Sequence, residues 1–127
     1  MLNWNKEEEM NYEKLCDEVL RADPQIRFTG ILDSKGDLIV EKNRDDAKLL
    51  NPDEVKMSVH YTFERWTRLQ NLSYKLGKEK TSITEYEKVT LISLHFGKNL
   101  FLLSTEPDVD YRKIILKTSS LISSFQK

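Results

Sequence analysis

The sequence predicts an α+β fold, with elements in the order α-β-β-α-β-β-β-α and a five-stranded, mostly antiparallel sheet covered by helices. Three observations carry this. The stretch TGILDSKGDLIVE near the start reads as two strands around a tight polar turn. A long, well-capped helical pattern occupies the middle of the chain. Three strand-like stretches then follow in quick succession before a last amphipathic segment. Strands joined by short turns pair antiparallel, and the long helix is the crossover between the two groups.

From Lys6 to Ala22, Tyr12, Leu15, Cys16, Val19 and Leu20 recur at helical spacing, and Asp23-Pro24 ends the helix. Glu7, Glu8 and Glu9 are expected in its first turn, facing the positive end of the macrodipole. Ile26 to Leu32 and Asp37 to Glu41 form the hairpin. Asp33 opens its turn and Gly36 closes it, the pattern of a type I turn followed by a left-handed residue. A backbone role accounts for both residues without a ligand.

After a polar connection from Lys42 to Leu50, Asn51-Pro52-Asp53-Glu54 supplies a cap, a proline at the first helical position and two favourable carboxylates. The helix is predicted over Pro52 to Leu76, with Gly77 as its stop. Val55, Val59, Phe63, Trp66 and Leu69 share its core arc. Met57, Tyr61 and Leu72 lie on the opposite side, among Glu64, Arg65, Arg68 and Lys75. Such residues are either scattered surface or a partner-facing stripe, since interface cores enrich aromatic, methionine and arginine side chains.

Lys80 to Glu87 (KTSITEYE) reads as a polar edge strand. Val89 to Phe96 and Leu100 to Thr105, joined through Gly97-Lys98-Asn99, read as interior strands. Pro107-Asp108-Val109-Asp110 introduces a last helix carrying Tyr111, Ile114, Ile115, Leu121, Ile122 and Phe125 toward the sheet.

At 127 residues and 15.0 kDa the chain suits one domain over residues 1–127, with its core at about 10–125. Hydrophobic residues at 39% and charged residues at 32% place it in the globular class. The net charge of −1 offers no field for nucleic acid. An acidic N-terminal stretch and the lack of a long apolar run argue against a signal peptide or membrane insertion, so a cytoplasmic protein is expected.

The chemistry-bearing residues are few. His60 falls on the long helix and His95 on an interior strand, each read as a packing or hydrogen-bonding residue. Cys16 belongs to an apolar helix face and lacks a cationic neighbour to activate it. Gly77-Lys78 and Gly97-Lys98 lack the spacing of a phosphate loop, and Asp45-Asp46 and Asp33 through Asp37 lack that of a calcium loop. No catalytic residue, metal site or cofactor is expected. The best case for an enzyme would set His95 beside Glu85 or Glu87 in an open cleft. Arg65, Arg68, Lys75, Lys78 and Lys80 make the end of the long helix basic; RNA binding there would need Tyr74 and Trp66 exposed as stacking platforms.

The element order, the hairpin Gly30 to Glu41 and the passage LFLLSTEPDVDYRKII resemble the roadblock/light-chain-seven family within the roadblock, longin and profilin-like group. The chain is similar, too, to small archaeal proteins of this type with no assigned function. The resemblance covers about Tyr12 to Phe125. It implies a non-enzymatic scaffold that forms a homodimer through the long helix and third strand, and that serves a small GTPase or a larger complex. The interface expected from it is Met57, Tyr61, Arg65, Arg68 and Leu72. The alternative is a PAS/GAF-like sensor holding a small ligand between sheet and helix, lined by Trp66, Phe63, Phe96 and Phe101.

Overall fold

The computed structural model describes residues 4–44 and 49–126. The first helix, α1, covers Trp4–Ala22. It begins before the expected Lys6, so Glu8 sits in its second turn, where the macrodipole acts more weakly. The strands β1 (Ile26–Leu32) and β2 (Leu38–Asn43) form the expected hairpin. At its tip Asp33 Oδ1 accepts hydrogen bonds from the backbone N–H groups of Lys35 and Asp37, at 2.9 and 3.0 Å. Gly36 adopts φ 93°, and a Cβ there would meet the Phe63 ring at 3.1 Å. The tip turns the chain and seats against the next helix.

That helix, α2, covers Pro52–Leu69 and starts with a reciprocal cap. Asn51 Oδ1 accepts from the Glu54 N–H at 2.9 Å, and Glu54 Oε1 accepts from the Asn51 N–H at 3.0 Å. The single helix expected to reach Leu76 does not occur. A 3₁₀ turn at Gln70–Leu72 and a short α3 at Ser73–Leu76 replace its last part, and Gly77 stops the chain at φ 80°. The remaining strands are β3 (Thr81–Glu85), β4 (Thr90–Phe96) and β5 (Asn99–Thr105), followed by α4 (Tyr111–Phe125), which Asp110 caps.

The sheet has the order β2-β1-β5-β4-β3, with every pair antiparallel. Since β2 and β3 are opposite edges, α2 must cross the whole width of one face. Four strand spacings amount to about 19 Å, and a helix of this length spans about 27 Å, so the crossover is long enough to reach.

Alternation along the strands divides the apolar side chains into two layers. On one face α1 and α4 bury Leu15, Val19, Ile31, Ile92, Phe101 and Ile114. Here Tyr12, Phe96 and Phe125 form an aromatic cluster with ring centroids under 6 Å apart. The opposite face carries a smaller cluster, in which Trp66 of α2 closes over Leu32, Leu100 and Leu102 with Phe63, Val59 and Phe28 at its rim. Leu69, expected in this core, is 37% exposed because the helix has by then reached the margin of the cluster.

Candidate functional site

An amphipathic helix laid across a sheet has a second face, and on α2 that face stays open. Met57 is 54% exposed and Tyr61 60%, and Leu72 in the following 3₁₀ turn is 49% exposed. Arg68 is exposed among them. At 100° per residue these positions oppose the arc of Val59, Phe63 and Trp66 that meets the sheet. The stripe therefore exposes large apolar side chains to water on the side of α2 opposite its contact with the sheet.

Arg65 differs from the rest. Its guanidinium reaches β3, bonding Ser82 Oγ and lying 3.4 Å from Glu79. It is half-buried and ties the exposed stripe to the adjoining sheet edge. No local spacing announces Glu79 and Ser82, which lie 14 and 17 positions along the chain, so only the fold brings them together. Beyond this tether, β3 pairs with β4 on one side only and leaves Ile83 exposed. An edge of this kind offers unpaired backbone groups to another chain.

The residues that chemistry would require stand apart. His60 is exposed and lies 3.4 Å from Glu64 within its own helix. His95 is half-buried on β4, where its backbone N–H donates to the Lys80 carbonyl at 2.9 Å. Glu85 faces Thr90 at the other end of the β3–β4 ladder, five strand positions away, or about 17 Å. The odd separation also places the two side chains on opposite faces, so His95 and Glu85 form no dyad. Glu85 instead bonds Tyr111 and thereby pushes its phenol upward.

Cys16 is fully buried, and desolvation pushes its thiol up to about 12, the reverse of an activated nucleophile. Among the described residues, no group of three His, Cys, Asp or Glu side chains comes together as a metal site, and no helix is long and apolar enough to cross a membrane. Asp45 and Asp46 lie outside the described residues.

The sensor arrangement fails on topology. Phe96 and Phe101 sit under α1 and α4, whereas Trp66 and Phe63 sit under α2, so the sheet separates the four aromatics that would line one cavity. Trp66 is buried and unavailable as an RNA platform. Tyr74 at 80% exposure and the exposed Lys75, Lys78 and Lys80 instead form a solvated basic margin beyond α2.

A model of a family of unknown function, DUF6659, matches residues 5–123. No curated protein matches the chain. The fold is similar to that of a Roadblock/LC7 domain from Streptomyces avermitilis, at a TM-score of 0.71 and 12% identity, covering 90% of this chain and 93% of that one. It is similar to the gliding protein MglB from Thermus thermophilus, at 0.74 and 17%, covering 92% and 89%. An MglB with a tetrameric arrangement is similar at 0.75 and 19%, covering 91% and 87%. These likenesses establish the Roadblock/LC7 type of fold.

Proposed function

Taking as premise that this chain belongs to the DUF6659 family and carries a Roadblock/LC7 fold, we propose that it is a non-enzymatic interaction module that forms a homodimer. The observation that carries this reading is the stripe of Met57, Tyr61, Arg68 and Leu72 exposed on α2 and its 3₁₀ extension, with Arg65 beside it tied to the β3 edge. Its mixture of aromatic, thioether and guanidinium groups is that of an interface centre. The neighbouring β3 edge extends the surface. The tetrameric arrangement of one MglB supports assembly as a use of this fold. The dimer in turn presents its remaining surface to another protein, for which the roadblock resemblance favours a small GTPase or a larger complex.

Light scattering after size exclusion, over a concentration series, tests the reading. Wild type is expected at twice the 15.0 kDa chain mass. A Met57→Glu/Tyr61→Glu variant is expected as a folded monomer, because it places carboxylates where apolar groups pair. A wild-type monomer throughout the series would sink the proposal.

A further inference from the structure

Beyond the stripe of α2, the chain from Ser73 to Lys80 stands clear of the body of the protein. None of these residues is buried. Tyr74 and Leu76, at 80% and 77%, are more exposed than any other large apolar side chain among the described residues. Gly77 then turns at φ 80°, and a Cβ placed on it would meet no atom within 4 Å. Two large apolar groups are thus held in water side by side, with no packing against the sheet or its helices. Clustered exposure of this kind marks a binding surface, whereas a single exposed side chain does not.

The same segment carries Lys75, Lys78 and Lys80, all exposed, and a single acid, Glu79. That acid is already engaged, since Arg65 Nη1 lies 3.4 Å from its carboxylate. Arg65 also bonds Ser82 Oγ, which anchors the foot of the segment to α2. Among the described residues, no carboxylate pairs with any of the three lysines. Protruding apolar groups and unpaired ammonium groups therefore alternate along one anchored tip, Tyr74-Lys75-Leu76-Gly77-Lys78.

We infer that this tip docks on the surface of a bilayer that contains anionic phospholipid, with Tyr74 and Leu76 in the headgroup boundary and Lys75, Lys78 and Lys80 against lipid phosphates. Aromatic and aliphatic side chains flanked by lysines settle at that boundary, where apolar groups leave water and ammonium groups still reach phosphate. The tip rests on the bilayer without spanning it, and no helix among the described residues is long and apolar enough to cross. Each lysine beside an anionic surface strengthens binding about fivefold, so three supply about a hundredfold. The two apolar groups add to this and hold the tip at the boundary.

Other occupants fit less well. Single-stranded RNA needs aromatic platforms, and Leu76 offers a base no π-face on which to stack. An acidic peptide needs a groove whose walls bury its side chains. Exposures of 80% and 77% leave no wall beside Tyr74 or Leu76. A lipid boundary deforms around a protruding group, and so supplies the burial that a rigid partner would have to be shaped to give.

Flotation of the full chain with vesicles tests the inference, using phosphatidylcholine alone and phosphatidylcholine mixed with about one third phosphatidylglycerol. Wild type is expected to float with the mixed vesicles, to leave the neutral ones, and to be released by salt at about 0.5 M. Lys75→Gln/Lys78→Gln is expected to bind about twenty-five-fold more weakly. Tyr74→Ser/Leu76→Ser is expected to bind about tenfold more weakly while keeping its salt dependence. All four side chains are exposed, and an unchanged circular dichroism spectrum checks that both variants fold. Wild type that fails to float with the mixed vesicles overturns the inference, and binding of single-stranded RNA or polyglutamate in its place would assign the tip to that partner. Flotation that the serine variant leaves unchanged also overturns it, since charge alone would then hold the chain to the vesicle.

Discussion

At the scale of single residues, the legible positions are those whose partners are near in sequence. Asp33 and Gly36 build their turn from groups within four positions, and the turn formed as their chemistry required. Arg44 is the opposite case. It donates to the main-chain carbonyls of Leu20, Asp23 and Ile26, holding the end of α1 to the start of β1 from a segment that reads only as polar connection. Its partners lie 18 to 24 positions back, where no periodicity points. Cys16 shows how burial turns into a measurable pH dependence. Its thiol rises from 9.0 to about 12 because folding desolvates it. The neutral form is therefore the folded form, and its contribution is intact below pH 9 and lost as pH rises from 9 toward 12. Urea midpoints across that window should fall more steeply for wild type than for Cys16→Ala. Equal slopes would mean that the thiol ionises in the folded chain as freely as in the unfolded one.

At the scale of elements, capping explains why α2 begins at Pro52, and lost support explains why it fails before Leu76. Asn51 and Glu54 satisfy each other's backbone N–H groups. Asn51→Ala removes one of these bonds and is expected to cost about 1 kcal/mol, read from the urea midpoint, whereas Asn51→Asp should cost much less. The far end was misread for a physical reason. Gly77 marks where the helical run stops, and nothing in the spacing before it, Leu69, Leu72 and Leu76 included, marks a change of helix type. All three are exposed, and the helix tightens to 3₁₀ over Gln70–Leu72, where Asn71 has modest helix propensity, before α3 resumes at Ser73. The stripe of α2 was visible as a second apolar face. The tether of Arg65 to β3 was not, because it depends on where the crossover helix lands.

At the scale of the whole molecule, the two faces of the sheet are unequally furnished. Among the described residues, fifteen buried side chains make up the cluster under α1 and α4, and four make up the one under α2. Free energy is distributed accordingly, since most apolar burial lies on one side. A helix held by the lesser cluster can lift from the sheet without dissolving the rest. In the monomer, amide protons of α2 should therefore exchange with deuterated solvent well before those of α1 and β5, and at a rate that mild denaturant barely changes. Pairing with a second copy would cover the outer side of the same helix, so its exchange should slow as protein concentration rises while that of β5 stays constant. The thinly anchored crossover thus becomes a clock for assembly: the segment that holds the monomer together least is the one whose protons would count the dimers.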